Sequence, residues 1–505
     1  MFSGNSSTAA HWNVASPGSD AITARTSICF PGASTLCAAA GTVGSFPMMS
    51  RRRILLILAV GFVLAAVVVA RRSRVDFAAE TLARLRAEGF PVTFEEIRAR
   101  YPEVPDELNA YLAITAPLQR IADDARRANL AYESRARLPR GVVLSSEWRA
   151  KWIPVLERNQ PALAEFKRGL SLPQSWDGVV VNDGGESPPV FIGASLLQAE
   201  VELAGNQQRL REAVPALTNL FRLAWVMDGT PSVVSVIVAT IIRSRAFDSL
   251  ENLLTGQPLS DVELTSLDLA MGATRRDGSI ELEHARSLAS LEFIARSEQM
   301  WNTYLQDPAL TVWEKLGRQF YRAALSQHDH RILLEQQARL LSISRLPWGE
   351  QPQAAKREYV WSYQRLPPKM GRAYAGSNAE YIEAPLSQRL TGAGPWSIFA
   401  GATVRWYDLD IADRLRLLAA RTACAVERWR LVHPDRLPDS LAELVPKFFD
   451  RIPVDPIDGQ PLRYRKTALG YCVYSVGTNL QDDGGLEAPA DYYNPHDVTF
   501  IVERP

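Results

Sequence analysis

Residues 432–485 read VHPDRLPDSLAELVPKFFDRIPVDPIDGQPLRYRKTALGYCVYSVGTNLQDDGG. Within them, Leu462–Lys466 and Tyr471–Val476 have the composition and length of strands, and the short turn between them holds Gly470. Upstream, Ile411, Leu415, Leu418, Thr422, Ala425 and Trp429 recur at alternating steps of four and three, which puts them on one stripe of a helix over Ile411–Leu431. Thr422 is the only polar member of that stripe. Downstream, Val498–Val502 supplies a third strand. One helix packed on a small antiparallel sheet is therefore expected for residues 411–505.

The chain ahead of this unit reads differently. Asp76–Glu88 forms a helix that ends at Gly89, a residue suited to the left-handed cap position. A second helix starts at Thr93, with Glu96 three residues on to complete a capping box. From Pro105 to about Ser344, leucine and alanine recur at helical spacing. Helices are expected over Ala194–Ala204, Leu210–Met227 and Pro231–Thr255, with Pro215 kinking the second or marking its start. Val179–Asp183 reads as a loop with one short strand. The apolar run Val233–Ile242 is too short to cross a bilayer and reads as a core helix. Between Arg345 and Val404, prolines including Pro347, Pro352, Pro367, Pro368 and Pro395, with Trp348, Trp361 and Trp396, mark an extended connection anchored by its aromatics.

Ile54–Ala70 is an unbroken apolar run flanked by Arg51, Arg52 and Arg53 on one side and Arg71, Arg72 and Arg74 on the other. Its length just spans a hydrocarbon core. Arginines on both sides leave orientation undecided by charge. No small-residue cleavage site follows the run, so an uncleaved anchor is preferred to a signal peptide. Residues 1–50 are rich in Ala, Ser, Thr and Gly without apolar period, and read as a disordered tail or an over-extended frame ahead of Met48 and Met49. Lys plus Arg equals Asp plus Glu at 56 each, so no global field draws nucleic acid.

The C-terminal stretch also carries an ordered set of residues: Pro438, Ser440-Leu441, Leu444-Val445, Ile452-Pro453, Asp455-Pro456, Asp458-Gly459, Tyr464, Tyr474-Ser475-Val476-Gly477 and Asp482-Asp483-Gly484-Gly485. In that order they resemble the C-terminal region of the major pseudopilin of type II secretion systems, in the form found on uncharacterised membrane-anchored bacterial proteins. A second stretch, Gly89–Ile114, is similar to a segment of the same proteins through Gly89, Pro91, Thr93, Tyr101, Pro102, Asn109 and Ala110. The resemblance covers about a fifth of the chain at the C-terminus. One feature departs from it: Arg53 leads straight into Ile54 where a Gly-Phe junction is needed, and no carboxylate lies within the run. A prepilin peptidase needs both, so assembly into a pseudopilus is not expected.

Candidate chemistry is sparse. No Gly-x-Ser-x-Gly, His-Glu-x-x-His or Gly-x-x-x-x-Gly-Lys motif occurs. His328-Asp329-His330 is the only histidine cluster, but residues two apart on a helix diverge, so it reads as a solvated face. His284, beside Glu283 and near Arg286, reads as a surface residue. Asp455 and Asp458 read as turn carboxylates bonded to their own backbone. Cys424 and Cys472 share the C-terminal unit and are either two buried thiols or a bridge in an oxidising compartment.

Asn479, Gln481, Asp482 and Asp483 precede a Gly-Gly bend, and Asp497 follows at the entry to the last strand. Hard cations want several oxygens, which such a loop can offer, although a solvated acidic turn has the same composition. The pseudopilin resemblance implies calcium there, with Asp482 or Asp483 and Asp497 as ligands. An insertion carrying Pro489, Tyr492 and Tyr493 alters the spacing.

The expected protein is mainly α: a tail (1–50), a transmembrane anchor (51–74), a multi-helix ectodomain (75–344), a connection (345–410) and a small α+β module (411–505). Its partners are the lipid bilayer through residues 54–70 and other envelope proteins, with no nucleic acid. It is expected in the bacterial inner membrane as a single-pass protein with its bulk extracytoplasmic, acting by protein contact. The alternatives are an extracytoplasmic hydrolase with its site near Trp348–Trp406, or an accessory subunit of a secretion or pilus system.

Overall fold

The computed structural model describes residues 77–100, 104–127, 140–141, 144–175, 189–229, 233–275, 279–297, 326–351, 402–434, 436–487 and 496–504, with isolated positions at 61–62 and between 302 and 357. The described residues form twelve α-helices and one three-stranded antiparallel sheet. The tail, the loop at 179–183, most of the aromatic connection and the insertion around Tyr492 lie outside them. The apolar run 54–70 also lies outside, apart from Gly61 and Phe62, which are helical. Among the described residues no helix is long and apolar enough to cross a membrane.

The first two helices follow their caps. Helix α1 (Phe77–Ala87) stops where Gly89 takes φ +82°, and the Phe90 N–H returns to the Leu85 carbonyl. Helix α2 (Phe94–Arg100) starts with Thr93 Oγ1 accepting from Glu96 N–H at 3.2 Å. The Glu96 carboxylate reaches back one residue further than a standard capping box, to Val92 N–H at 2.7 Å. Helices α3 (Ala110–Arg127), α4 (Ser146–Arg158) and α5 (Gln160–Leu170) follow. Then come α6 (Val190–Asn206), α7 (Leu210–Asp228) and α8 (Val233–Gly256), three successive neighbours that pack on one another. Pro215 sits inside α7, which begins at Leu210 regardless.

Helix α9 (Asp261–Gly272) opens with a complete capping box, Ser260 with Glu263. Helices α10 (Ser279–Arg296) and α11 (Ser326–Ile343) then pair with each other and with α2 and α1 respectively. These four enclose a core of their own, built on Leu82, Leu85, Ile97, Leu288, Leu334 and Leu341. His284 lies inside it, contrary to the surface position expected from its charged neighbours. Its side chain is fully buried and lies 3.3 Å from Gln337 Oε1, and burial lowers the imidazole to about 4. The helix turns His284 inward together with Ala285 and Leu288, which a local reading of polarity misses.

Helix α12 (Ala402–Val432) begins nine residues before the expected start and carries the expected stripe, with Ile411, Leu415, Thr422, Ala425 and Trp429 buried. Thr422 disposes of its hydroxyl by donating to Leu418 carbonyl at 2.8 Å. The strands fall as expected: β1 (Arg463–Lys466), β2 (Gly470–Ser475) and β3 (Val498–Glu503), ordered β1-β2-β3. Tyr471 and Val473 face α12, and the Tyr471 hydroxyl donates to Glu427 at 3.0 Å. Cys472, one residue along the pleat, faces away and packs with Tyr474 and Ile501. Cys424 lies in the core on the helix side, so strand alternation keeps the two thiols apart; both are free and buried.

The module shares its core with the helical body. One hydrophobic cluster runs from Ala110 and Leu118 through α6, α7 and α8 to Ala423, Val473 and Phe500. A charged network is buried where α12 crosses α8. Arg243 Nε donates to Asp413 at 2.7 Å and its Nη2 lies 3.6 Å from Asp228, while Arg275 donates to Asp413 at 2.6 Å and to Asp410. Arg414 Nε donates to the other Asp410 oxygen at 2.8 Å. Burial alone would raise the Asp410 carboxyl; Arg275 and Arg414 outweigh it and hold Asp410 well below the usual carboxylate range. Arg243→Met leaves Asp413 short of a cation in the interior, and the expected loss of unfolding stability is about 3–5 kcal/mol. Urea unfolding measures it, and a loss under roughly 1 kcal/mol, the worth of an exposed pair, contradicts this assignment.

Candidate functional site

The acidic loop hangs from the end of β2. Past Ser475 the chain makes a short 3-10 turn at Gly477–Asn479 and reverses through Leu480 at φ +61°. Asn479 Oδ1 accepts from Gln481 N–H at 3.2 Å and Asp482 Oδ1 from Gly484 N–H at 2.9 Å, so each side chain caps its own bend. Gly485 then takes φ +68°, and a Cβ there would sit 2.8 Å from the Tyr474 ring. The loop passes flat over that ring because it has no side chain to place.

All three expected ligands belong to this loop. Asp497 reaches across it: Oδ2 accepts from Gly485 N–H at 2.7 Å, and the residue is 3% exposed. Its Oδ1 is buried and, among the described residues, no donor lies within hydrogen-bond geometry of it. Burial raises the Asp497 carboxyl above its ordinary value; the backbone N–H groups of Gly485 and Asp483 pull it back, and the charges of Asp482 and Asp483 push it further up. Asp482 accepts from the Tyr474 hydroxyl at 3.2 Å, and Asp483 from Asn479 Nδ2 at 3.1 Å with His496 Nδ1 at 3.5 Å. Among the described residues no three His, Cys, Asp or Glu side chains converge on one point as a metal site. The donors are all hard oxygens, of the kind calcium takes, but Asp482 and Asp483 have to exchange their present partners for the ion.

Asp455 and Asp458 do more than cap their own turn. Asp455 is fully buried and accepts from Ile457 N–H at 3.0 Å, as a turn carboxylate should. Its other oxygen accepts from Val476 N–H at 3.1 Å and from Arg463 at 3.0 Å, joining the turn to the end of β2. Arg463 also pairs with Asp458, and its Nε lies 3.8 Å from Asp482. An Arg on β1 thus sits among three carboxylates drawn from two loops. Sequence reading missed this residue, although its place on a strand between two acidic loops was a usable signal.

His330 Nε2 lies 3.1 Å from Glu292 on α10, so it serves the α10–α11 contact; the side chains of His328 and Asp329 lie outside the described residues. Of the alternative site at Trp348–Trp406, the stretch 358–401 lies outside as well. No protein family, curated protein or solved structure matches the chain.

The two glycines of the loop separate backbone strain from steric contact. Gly484 has φ +76° with open space around it, whereas Gly485 has both the positive φ and the Tyr474 ring. Gly484→Ala is expected to cost about 1 kcal/mol, and Gly485→Ala clearly more, up to about 3 kcal/mol. Equal losses in parallel urea titrations contradict the packing of the loop on Tyr474.

Proposed function

We propose that this chain is a single-pass protein of the bacterial inner membrane, held in the bilayer by residues 54–70. Its extracytoplasmic helical body binds other envelope proteins and ends in a calcium-supported module. The apolar run with arginines at both ends supports the anchor. Phe62, within that run, is 72% exposed, as a lipid-facing side chain would be.

The observation that carries the calcium reading is the buried Oδ1 of Asp497, which has no hydrogen-bond partner among the described residues. A buried carboxylate oxygen without a donor costs free energy that a bound cation removes. Asp482 and Asp483 bring two more carboxylates to the same loop, and Gly484 and Gly485 let the backbone bend to offer carbonyls. Calcium would supply positive charge there and hold the loop against β2; the chain's own residues provide the oxygens and the fold that presents them. Modules that work outside the cytoplasm bind calcium with dissociation constants of roughly 10⁻⁴–10⁻³ M.

Thermal unfolding of the full chain in detergent, with calcium and with chelator, tests the site. Calcium at a hundred times its dissociation constant should stabilise the protein by about 2.7 kcal/mol, and Asp483→Ala should remove most of that gain. A midpoint that ignores calcium in both proteins removes the metal from this account. Topology is checked separately by an alkaline-phosphatase fusion at Pro505, which should be active in cells; an inactive fusion places the body on the cytoplasmic side.

A further inference from the structure

Helices α6 and α8 meet at a polar contact unrelated to the acidic loop. Glu202 on α6 is 9% exposed and has no cationic partner among the described residues. Its neighbours are neutral: Ser249 Oγ donates to Oε1 at 2.9 Å, and Asn252 Nδ2 lies 3.3 Å and 3.4 Å from the two carboxylate oxygens. The cations nearby are committed elsewhere. Lys167 on α5 is taken by Glu200 at 2.6 Å, Arg245 on α8 donates to Ser195, and Arg416 on α12 pairs with Asp248 at 2.6 Å. Asp248 adds a like charge facing Glu202 from α8, and Glu212 on α7 acts on Glu200 rather than on Glu202.

An ionised carboxylate in that place is a buried charge held by two neutral donors, which is an unfavourable state. A second atom points the same way. Asn252 Oδ1 is buried and lacks a donor among the described residues. The oxygen and nitrogen of an amide exchange places on rotation about its last torsion, and nothing but hydrogen bonding decides between them. With the amide turned, Asn252 Oδ1 faces the carboxyl of Glu202 and accepts its proton. The neutral acid therefore gives that oxygen a donor while Ser249 still serves Oε1, and the amide nitrogen, which bonded the carboxylate before the turn, takes the place the oxygen leaves. Burial also raises the Glu202 carboxyl to about 7, with Ser249 and Asn252 opposing the rise.

We propose that Glu202 is carried as the neutral acid bonded to Asn252, making the α6–α8 contact a proton-dependent clasp that loosens when the surrounding pH rises above neutrality. The proton comes from and returns to solvent, and no other group changes state. A carboxyl that titrates at the pH of its compartment suits a protein that reports pH, and the clasp sits in the same core cluster that carries α12 and the sheet.

The full chain in detergent tests this by infrared difference spectroscopy between pH 5.5 and pH 8.5, read beside amide hydrogen exchange. The wild type should lose a protonated-carboxyl band that Glu202→Gln lacks. Protection of α6 and α8 peptides, taken relative to the intrinsic base-catalysed exchange rate at each pH, should fall several-fold at the higher pH in the wild type and stay constant in Glu202→Gln, whose amide can donate to Asn252 at every pH. The same band in both proteins, or an equal fall in protection in both, overturns the clasp. Ser249→Ala gives an independent reading should Glu202→Gln not fold. Losing a donor to the carboxylate should move the band's midpoint to higher pH, and an unmoved midpoint overturns the clasp as well.

Discussion

The structure depends on the salt-bridged crossing of α12 over α8. Three aspartates, Asp228, Asp410 and Asp413, face three arginines, Arg243, Arg275 and Arg414, and Arg243 is wholly buried. Stripping water from six charges is costly, and their attraction repays it only when the geometry is met. A slip of α12 by one residue would turn Asp410 and Asp413 off their partners and leave isolated charge in the interior. The crossing therefore fixes the rotation and register of α12 against α7 and α8. Everything that α12 carries, including the Tyr471 and Val473 face of the sheet, inherits that position.

The sheet is held from its other side by the same helix. Strand β3 is an edge strand, and an exposed edge offers free N–H groups to any passing strand. Here α8 covers it: Glu251 accepts from Ile501 N–H at 3.1 Å and Thr255 from Glu503 N–H at 3.2 Å. Arg504 then donates to Leu254 carbonyl at 2.7 Å and to Glu427 of α12 at 2.5 Å. Arg140 adds Glu251, Glu503 and Glu487 to the joint. The polar residues of α8 seal the edge strand where its apolar residues fill the core.

This division explains what could be read from the chain. The strands, the α12 stripe and the caps at Gly89 and Thr93 were legible because each depends on a local period or on a fixed offset between two residues. The missed features are all long-range polar contacts. Asp410 and Asp413 take Arg275 and Arg243 from more than a hundred residues upstream, and no local period marks that pairing. His284 read as surface because its neighbours are charged. Of the two alternatives for Cys424 and Cys472, pleat parity decides for buried thiols, since only alternate residues of β2 reach the helix. In the acidic loop, composition marked Asp482, Asp483 and Asp497, but only the fold shows that Asp497 is the buried one and that Arg463 stands among the other carboxylates.

Two buried titratable groups place opposite demands on the fold. Glu202 is raised from its ordinary 4.5 to about 7, so between those values the folded protein holds a proton that the unfolded chain releases, and stability falls as pH rises. His284 is lowered from 6.5 to about 4, so over that range the unfolded chain takes a proton that the folded protein refuses, and stability rises with pH. Each effect is on the order of 3 kcal/mol, and the two windows overlap almost completely. Their sum is close to flat, and a global unfolding midpoint registers little of either. The local consequences do not cancel, because the groups sit in different cores: Glu202 at the α6–α8 contact, His284 among α1, α2, α10 and α11.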